Sequence, residues 1–333
     1  MKKRFLFPLF AALFSLSACD FTFFAVEDNT KEDGDQKTVV DPVIADEYYK
    51  GYDLTKSGGR LIVELQKNCW DKHTKWVTYG QVNGYYSKTS SHNSAEAIAD
   101  GSSKNQYFYT GKEASGYGTR EHVWPCANSA GLWTHDNPGG GNFSSHYVDN
   151  SSYVGGGSDL YHVRTCTSAV NTARGNSRFV DFDDSEMSNY KGKTYDYTEP
   201  NGKWALKIAE YETTSSGTIQ YARKAEPDDN MKGDVARIVL YVYIHYCERG
   251  VTPEGGVKSG SNTFNYSDMT GSLALTDIMG YEDEARCKEK LVEWSKLDPP
   301  SDVEKLRNTT VQKIQGNRNP FVDYPDLVDK IFA

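Results

Sequence analysis

Two polar stretches constrain the fold of this chain more than any other feature of its sequence. The first is residues 120–125, which read Arg-Glu-His-Val-Trp-Pro, and the second is residues 159–171. Residues 126–158, which separate them, contain two runs of three glycines and many serines and asparagines, as is typical of a long surface loop. Residues 159–164 alternate weakly and predict a strand, and the residues after them predict a helix. The expected order is therefore strand, long loop, strand and helix.

Three side chains in these stretches carry groups that can act together on an anionic ester. Glu121 offers a carboxylate oxygen and Asn171 a carbonyl oxygen, and both are ligands that Mg²⁺ accepts. His122 offers an imidazole that can take a proton from water. Neighbouring residues of a regular strand point to opposite faces, so the strand must end here for Glu121 and His122 to share a site, as Pro125 indicates. We therefore expect one cation between the first strand and the helix, with phosphodiester hydrolysis as the chemistry.

Each of these groups also has an ordinary structural interpretation. A Glu-His pair alone is usually an unrelated surface feature, and Asn171 alone would be a residue near the end of the helix. We expect Asp159 to be a structural hydrogen-bond acceptor and His162 to pack against the site. Zinc is a further alternative, because four histidines lie within residues 122–162. Their spacing lacks the paired short intervals of structural zinc modules. A second, less regular metal site in the loop remains an alternative.

Five stretches, in this order, resemble the endonuclease I family of exported bacterial nucleases, which have a ββα-metal (His-Me) finger. They are residues 121–125 (Glu-His-Val-Trp-Pro), 159–164 (Asp-Leu-Tyr-His-Val-Arg), 170–176 (Val-Asn-Thr-Ala-Arg-Gly-Asn), 232–237 (Lys-Gly-Asp-Val-Ala-Arg) and 315–323 (Gln-Gly-Asn-Arg-Asn-Pro-Phe-Val-Asp). One such motif would be weak evidence, whereas five with order and spacing kept are specific. The resemblance covers roughly residues 118–323. It implies an α+β fold in which a ββα-metal core is embedded in a largely helical single domain with long loops.

The resemblance also implies roles for individual residues. His122 is expected to be the general base that activates water, and Glu121 and Asn171 are expected to hold one Mg²⁺, with Mn²⁺ or Ca²⁺ as alternatives. The family has an arginine that contacts the phosphate, and Arg164 and Arg174 are candidates because they lie on matching motifs. The implied partner is a nucleic acid substrate, either DNA, RNA or both, which is cut with little sequence preference.

This chain departs from the family pattern in three places, which bear on substrate access rather than on the chemistry. Thr165 stands where family members often have proline, the loop of residues 126–158 is unusually rich in glycine, and residues 181–226 look expanded. Two alternatives therefore stay open. One is a member of the same family that is biased towards RNA. The other is a non-catalytic surface lipoprotein that binds its ligand through Tyr, Trp and Gly-rich loops.

The first residues have the pattern of an export signal. Residues 2–4 are basic, and residues 5–15 form an apolar segment too short to span a bilayer. Leu-Ser-Ala-Cys at residues 16–19 resembles the lipobox of bacterial lipoproteins, which would make Cys19 the lipidated first residue of the mature chain. The alternative is an ordinary secretory signal cut after Ala18. Either pattern predicts an extracytoplasmic protein, and the lipobox predicts a cell-envelope lipoprotein in the outer membrane, at the cell surface or in the periplasm.

Composition indicates how the rest of the chain is organised. Residues 1–18 are assigned to the lipoprotein signal peptide, residues 19–45 to an acidic flexible tether and residues 46–333 to one catalytic domain like that of endonuclease I. The formal charge is −9, and removing the three basic residues of the signal makes it −12. That balance argues against passive coating of nucleic acid, but a cation and a few arginines can still hold one phosphate. We expect a monomer that is attached to the membrane through the lipid on Cys19.

The chain has five cysteines besides Cys19. They are Cys69, Cys126, Cys166, Cys247 and Cys287. Disulfides are consistent with an oxidising compartment, and the odd number leaves at least one thiol free. Cys126 and Cys166 each follow one half of the proposed site, so a bridge between them would join those halves. Cys247 and Cys287 fall on two predicted helices and are the next candidate pair. Buried free thiols are the alternative to either bridge.

Periodic patterns and caps place the other elements. Helices are predicted over residues 59–70, 231–247 and 283–297, with a further helix that opens at the capping box of Ser301 and Glu304. Strands are predicted over residues 76–79, 106–110 and 204–211. The helix that carries Asn171 is expected to be capped by Thr165 or Thr167.

Overall fold

The computed structural model describes residues 42–86, 106–114, 118–125, 156–184, 193–215, 218–246, 257–259, 262–264 and 274–333. All of them fall within Thr38–Ala333, one of two compact units of the chain. The helices, in chain order, are α1 (Pro42–Tyr48), α2 (Gly58–Lys72), α3 (Tyr79–Tyr86), α4 (Ser168–Arg174), α5 (Asp229–Tyr246), α6 (Glu284–Leu297), α7 (Asp302–Gln315), α8 (Pro320–Asp323) and α9 (Leu327–Ile331). The strands are β1 (Thr119–His122), β2 (Val163–Cys166), β3 (Arg178–Phe179), β4 (Lys193–Tyr197), β5 (Leu206–Ser215), β6 (Thr218–Pro227), β7 (Val257–Ser259) and β8 (Asn262–Phe264). This mixture of helices and small sheets is the α+β class that the sequence predicts.

Helix α5 forms the centre of the fold because it has no polar face over most of its length. Every side chain from Val235 to Tyr246 is buried, which is the pattern of a helix surrounded by other elements. α2 and α6 pack against α5, and α9 contacts both of them. The helix predicted over residues 231–247 is therefore confirmed, although it begins slightly earlier, at Asp229.

The other helices predicted from periodicity are also present. α2 covers the predicted residues 59–70 and buries the face that the apolar spacing indicates. α6 begins after Asp283, whose carboxylate accepts a hydrogen bond from the Ala285 N–H at 3.0 Å. α7 begins after Ser301, whose hydroxyl accepts from the Glu304 N–H at 3.2 Å. Side-chain caps therefore set both starts, as the sequence predicts for Ser301, but the Glu304 carboxylate pairs with Arg237 instead of completing the predicted capping box.

Two short strands predicted from composition are wrong. Residues 76–78 belong to no strand, and α3 begins at Tyr79. Residues 107–110 form a turn in which the Gly111 N–H donates to the Tyr107 oxygen at 2.9 Å. The Phe108 N–H donates to the Thr165 oxygen of β2 at 2.8 Å and Gln106 forms an isolated bridge with Glu113, so the aromatic residues of this segment are buried without forming a strand.

The second strand of the site begins later than predicted. The pattern of residues 159–164 predicts a strand, but β2 starts at Val163. Asp159 follows a 3₁₀ turn, and its Oδ1 atom accepts from the Tyr161 N–H at 2.8 Å. This local bond offers the backbone an alternative to strand pairing, which explains why the weak alternation was misleading.

The acidic segment of residues 181–230 contains more sheet than its composition indicates. β5 and β6 are long antiparallel neighbours, β4 pairs with the other edge of β5, and β3 runs parallel to β6. β5 includes most of the strand predicted over residues 204–211. Leu206 and Ile208 are buried on one face, and on the other face Ala209 and Glu226 are buried while Lys207 is exposed, so both faces of the sheet are at least partly covered. Charged residues within the strands interrupt the apolar pattern, so composition alone conceals them.

The cysteines of the described residues are free thiols. Cys69, Cys166 and Cys287 are buried and unpaired by disulfides. The predicted bridges from Cys166 to Cys126 and from Cys287 to Cys247 are therefore not formed, although Cys126 and Cys247 themselves lie outside the described residues. The Cys166 thiol instead donates to the Phe108 oxygen at 3.8 Å. The alternative of buried free thiols holds for these three residues.

The N-terminal predictions fall mostly outside the described residues. These are the signal peptide of residues 1–18, lipidation at Cys19 and most of the tether of residues 19–45. The last residues of that predicted tether, from Pro42 onward, belong to α1. Within the part of the chain that the structure describes, no helix is long and apolar enough to cross a membrane.

Candidate active site

Strands β1 and β2 form an antiparallel ribbon, and α4 follows β2 directly. In the register of the ribbon Glu121 lies opposite Arg164. α4 is capped by Thr167 rather than Thr165, because the Thr167 hydroxyl accepts from the Val170 N–H at 3.3 Å. α4 packs against β1. The predicted order of strand, strand and helix is therefore present, and it brings the two halves of the site together.

Asn171 links α4 to the ribbon. Its Nδ2 atom donates to the Thr119 hydroxyl and to the main-chain oxygen of Arg120, both at 3.0 Å. A main-chain oxygen only accepts, so the nitrogen of the amide must face β1. The planar amide then turns its carbonyl oxygen, Oδ1, away from these two bonds. Asn171 lies in the middle of α4 rather than near its end, and its orientation is set by β1.

Glu121 is a buried carboxylate, with a side chain that is 1% exposed. Its Oε1 atom accepts from the Tyr109 hydroxyl at 2.8 Å and lies 3.4 Å from Nη1 of Arg174. Burial raises the pKa of Glu121 to about 7, although Arg174 and the Tyr109 hydroxyl act in the opposite direction. The negative charge of this carboxylate is thus incompletely compensated, and a cation beside it would be favourable.

Arg174 holds the end of β1 in place. Its Nη1 atom donates to the His122 oxygen at 3.0 Å and its Nη2 atom to the Val123 oxygen at 2.6 Å. The guanidinium also lies 4.6 Å from the ring centroid of Phe179. With its side chain 1% exposed, Arg174 faces the main chain and Glu121 rather than the solvent. The structure therefore places this predicted phosphate-binding candidate behind the site.

His122 is half-buried at the end of β1. Its Nε2 atom lies 3.0 Å from the Gly157 oxygen, which can only accept, so Nε2 carries the proton and Nδ1 carries the lone pair. Burial lowers the pKa of His122 to about 3; His162, Arg120 and Arg174 act in the same direction, and the bond to Gly157 opposes them. The imidazole is therefore neutral at physiological pH, which is the form that accepts a proton.

Arg120 and Tyr79 extend the site on the His122 side of the ribbon. The Cζ atom of Arg120 lies 3.9 Å from the ring centroid of Tyr79, and the Tyr79 ring lies nearly parallel to His122 at 6.0 Å. The Nε atom of Arg120 donates to Oδ1 of Asn83 at 3.0 Å. Sequence reasoning named Arg120 within its motif but gave it no role. The signal was its spacing, since residues i and i+2 of a strand lie on one face, as Arg120 and His122 do here.

Arg164 occupies a different place from Arg120. Its side chain is half-buried, and its Cζ atom lies 4.4 Å from the ring centroid of Phe108. Burial raises the pKa of Asp234, on α5, to about 7, and Arg164 is one of the cations that oppose this rise. The Arg164 side chain therefore extends from β2 towards α5, and part of it is exposed.

Asp159 and His162 have the structural roles that the sequence predicts. Oδ2 of Asp159 accepts from the hydroxyls of Tyr241 and Tyr246, both at 2.6 Å. His162 is fully buried, and its Nδ1 atom bonds to the Gly156 oxygen at 2.7 Å. These contacts anchor the segment that carries Gly157 and hence the partner of His122. His135 and His146, which belong to the looser loop site left open from the sequence, lie outside the described residues.

The segment after α7 braces the same region. Oε1 of Gln315 accepts from the Leu160 N–H at 2.7 Å, and its Nε2 atom donates to Oδ1 of Asp159 at 3.0 Å. Arg318 and Asp323 form a buried ion pair at 2.6 Å, which holds the segment itself. Residues 315–323 therefore have the structural, bracing role that the sequence predicts, although Gln315 ends α7 and residues 320–323 form α8 rather than a loop.

One ribbon and its helix therefore bring together a neutral imidazole, a buried carboxylate and an oriented amide, which form a candidate acid–base site. The family model described as Endonuclease I matches residues 57–326. The chain therefore belongs to the endonuclease I family. The matched residues include both strands of the ribbon, α4 and the bracing segment after α7.

Two curated relatives are similar to this chain, and both are named extracellular ribonuclease. One is from Bacillus subtilis (strain 168) and the other from Bacillus amyloliquefaciens. Each is 31% identical over 216 residues, which is 64% of this chain and 53% of the relative. The chain thus spans about half the length of the curated relatives it matches.

Proposed function

We propose that this chain is a metal-dependent endonuclease that hydrolyses phosphodiester bonds of nucleic acid with little sequence preference. The observation that carries the proposal is the position of His122, whose Nε2–H is held by the Gly157 oxygen so that Nδ1 can accept a proton. The neighbouring residue, Glu121, is a buried carboxylate. We assign β1, β2 and α4 to a ββα-metal (His-Me) finger, because their order and packing match that unit.

Glu121 and Asn171 are the proposed metal ligands. Among the described residues, both contacts of the Glu121 carboxylate use Oε1, and both hydrogen bonds of Asn171 use Nδ2. Oε2 of Glu121 and Oδ1 of Asn171 therefore remain to bind a cation. Two oxygen ligands fit Mg²⁺, which keeps several waters, and Mn²⁺ or Ca²⁺ could replace it. A bound Mg²⁺ supplies positive charge at the phosphate and at the leaving oxygen.

His122 is the proposed general base. A water molecule gives its proton to Nδ1 as its oxygen attacks phosphorus, and the bond from phosphorus to the leaving oxygen breaks while that oxygen takes up a proton from a second water molecule. The Gly157 oxygen keeps the other ring nitrogen protonated, so it selects the tautomer and fixes the ring. Arg174 fixes the main chain of His122 from the other side. Both contacts position the base without touching the substrate.

Arg120 is our preferred phosphate ligand, and Arg164 is the second. Within the described part of the chain, the hydrogen bond of Arg120 uses Nε, which leaves its Nη groups for an anion. Its guanidinium is held by Tyr79, which also lies parallel to the ring of His122. Arg164 is partly exposed but lies against Phe108. Arg174, the other candidate from the sequence, is assigned to positioning because it is buried.

The names of the two curated relatives favour RNA as a substrate. Both are called ribonucleases, so we retain the ribonuclease-biased member of the family as the second candidate function. Rates on plasmid DNA and on a structured RNA, measured at one salt concentration, separate the candidates. Similar rates support a nuclease of both substrates, whereas cleavage of RNA alone supports the second candidate.

The test of the main proposal uses the full-length protein and its His122→Ala variant. EDTA and the substitution should each lower the cleavage rate by at least about 100-fold, while circular dichroism shows an unchanged fold. Full activity of the folded variant or of the EDTA-treated enzyme would overturn the mechanism. No cleavage of either substrate by the native enzyme would favour the non-catalytic binding lipoprotein.

We also propose that the protein is exported and anchored as a monomer by a lipid on Cys19. The lipobox supports the anchor, and the printed names of the relatives, extracellular ribonucleases, support export. A cell expressing the chain should incorporate labelled palmitate into the native protein but not into Cys19→Ala. Labelling of the Cys19→Ala variant would show that the lipid is attached at another residue. Absence of label in the native protein would contradict the proposed lipid anchor.

A further inference from the structure

Tyr109 reaches Glu121 from outside the ribbon and α4. Its hydroxyl donates to Oε1 of Glu121 at 2.8 Å. The Tyr109 side chain is fully buried, and its ring centroid lies 4.6 Å from that of Phe108 and 6.4 Å from that of Phe179. Packing therefore fixes the ring and the position of its hydroxyl. Tyr109 lies outside the five stretches that resemble the family, so its contact with Glu121 comes from the fold alone.

The main chain at Tyr109 adopts a conformation that a large side chain disfavours. Its φ angle is +70°, in the left-handed region, where Cβ crowds the following carbonyl oxygen. Among the described residues, the only other non-glycine residue with a positive φ is Asn201, and asparagine tolerates this region. Strained backbone of this kind persists where its surroundings hold it, and it is concentrated at functional sites. The strain therefore indicates that the direction of the Tyr109 side chain matters.

This strained turn is held from two sides. On one side, the Phe108 N–H donates to the Thr165 oxygen of β2 at 2.8 Å. On the other side, the Trp204 N–H donates to the Thr110 oxygen at 3.1 Å. The Trp204 ring also packs directly on the turn, since a Cβ at Gly111 would lie 2.5 Å from its Cζ3 atom. The turn is thus fixed between the ribbon and the segment that leads into β5.

The same segment also contacts the start of α4. Glu199 pairs with Lys112, the residue that follows the turn, at 3.2 Å. The other carboxylate oxygen of Glu199 accepts from the hydroxyl of Thr167, the cap of α4, at 2.6 Å. Residues 199–204 therefore join the turn to the helix that carries Asn171, so both proposed metal ligands depend on this segment.

The Tyr109 hydroxyl is suited to orient a metal-binding carboxylate because it is a neutral donor. The hydroxyl and Nη1 of Arg174, 2.8 Å and 3.4 Å away, both approach Oε1 of Glu121. Two partners on one oxygen limit the rotation of the planar carboxylate and leave Oε2 on its other side. An uncharged hydroxyl does this without neutralising the negative charge that attracts a cation, as a second arginine would.

We infer that Tyr109 is a positioning residue of the proposed metal site, whose hydroxyl holds Oε1 of Glu121 so that Oε2 faces the cation. The inference rests on the proposed function, in which Glu121 is a ligand. The strained turn and residues 199–204 then serve to direct this hydroxyl as well as to fill the core. Because Tyr109 acts through Glu121 rather than through His122, its loss should weaken metal binding and leave the base intact.

The test measures Mn²⁺ binding to the full-length protein by electron paramagnetic resonance of the free ion. Tyr109→Phe keeps the ring and removes only the hydroxyl, so its dissociation constant for Mn²⁺ should be about 10-fold to 100-fold higher than that of the native protein. Glu121→Gln should bind the ion more weakly than either and so identifies the site. A native constant for Tyr109→Phe, with binding lost in Glu121→Gln, would overturn this inference alone. A native constant for Glu121→Gln would overturn the proposed ligand and, with it, the inference.

The matched control is Tyr49→Phe. The Tyr49 hydroxyl also donates to a carboxylate, Oδ2 of Asp323, at 2.8 Å, and this carboxylate is also paired with an arginine, Arg318. Both tyrosines are buried. The thermal midpoints of the two variants, measured without metal, should therefore fall by similar amounts, whereas only Tyr109→Phe should lose affinity for Mn²⁺. Equal losses of affinity would show that the Tyr109 hydroxyl serves stability alone and would overturn the inference.

The dependence of the cleavage rate on Mg²⁺ separates metal binding from chemistry. Tyr109→Phe should need about 10-fold to 100-fold more Mg²⁺ than the native enzyme to reach half of its maximal rate. The maximal rate should stay within about 3-fold of the native rate, because His122 is unchanged. A lower rate at every Mg²⁺ concentration, with the half-maximal concentration unchanged, would contradict a role in positioning the ligand.

A second variant leaves the hydroxyl in place. Trp204→Leu removes the ring that packs on Gly111, so the turn can relax towards a less strained conformation at Tyr109. Its dissociation constant for Mn²⁺ should rise above that of the native protein, by a smaller factor than for Tyr109→Phe. A native constant in the folded Trp204→Leu protein would contradict the role of the turn in directing the hydroxyl.

Discussion

The main-chain oxygen of Gly157 lies 3.0 Å from Nε2 of His122, and this contact selects the tautomer of the imidazole. His122 should therefore be protonated on Nε2 and unprotonated on Nδ1. Nitrogen-15 NMR of histidine-labelled protein reads this directly, with His122→Ala used to assign the signals. A proton on Nδ1 would contradict the role of Gly157 and, with it, the proposed base.

Arg174 should contribute strongly to stability because it is the buried positive partner of Glu121. Arg174→Met leaves Glu121 without that partner and leaves the oxygens of His122 and Val123 without donors. We expect the free energy of unfolding to fall by about 3–5 kcal/mol. Urea unfolding of the purified protein measures the loss.

The control for this effect is a double substitution. Glu121→Gln removes the buried negative charge, so Arg174→Met should cost less when it is introduced into the Glu121→Gln protein. The difference between the two costs measures the coupling of the pair. Equal costs would show that Arg174 acts on the main chain alone.

Arg120 should affect catalysis more than folding. Arg120→Ala removes the guanidinium that lies over Tyr79 beside His122, and a lost charged hydrogen bond to phosphate is worth about 1.5–3 kcal/mol. We expect kcat/KM to fall about 10-fold to 100-fold with little change in the thermal midpoint. Arg223→Ala, at a half-exposed pair with Glu210, is the matched control and should leave kcat/KM unchanged. Equal effects of the two substitutions on kcat/KM would contradict a role for Arg120 in binding the phosphate.

The sequence predicts the site to the extent that it depends on local rules. The ribbon and α4 follow from strand spacing and from Thr167, and α2, α5, α6 and α7 follow from periodicity and caps. The strand at residue 159 was mispredicted, because a side-chain bond to the Tyr161 N–H competes with pairing. The sheet of β4, β5 and β6 is largely missed, because charged residues such as Lys207 and Glu226 interrupt the apolar alternation.

Long-range contacts account for what the sequence could not show. Arg174 lies on a family motif, but its burial depends on main-chain oxygens of β1, which no motif reports. His73, Asp159 and His245 approach one another within 4.8 Å although they come from distant parts of the chain, so these residues have no spacing to detect. Single histidines in such segments carry no signal until the fold places them together.

Gly233 should be irreplaceable because α5 passes close to the end of α6. A Cβ at this position would lie 1.8 Å from the Asp298 oxygen and 2.8 Å from Nη1 of Arg237. Gly233→Ala should lower the free energy of unfolding by about 1–3 kcal/mol. The matched control is Gly59→Ala in α2, where nothing lies within 4 Å; there we expect a gain of about 0.4–1 kcal/mol. Thermal unfolding compares the two, and equal shifts would contradict the close approach.

Asp234 should make stability depend on pH. Burial and the nearby Glu304 raise its pKa from 3.8 to about 7, despite Arg237 at 3.6 Å. Between about pH 4 and 7 the folded chain keeps a proton that the unfolded chain has released, so this contribution is present below pH 4 and is lost as the pH rises through 7. Asp234→Asn cannot lose that proton, so its thermal midpoint relative to the native protein should rise from about pH 5 to about pH 8. The control is Asp53→Asn. The pKa of the exposed Asp53 carboxyl is lowered from 3.8 by Thr55, so the thermal midpoint of this variant relative to the native protein should stay constant over the same pH range. A constant relative midpoint for Asp234→Asn as well would mean that the Asp234 carboxyl is already ionised in the folded chain.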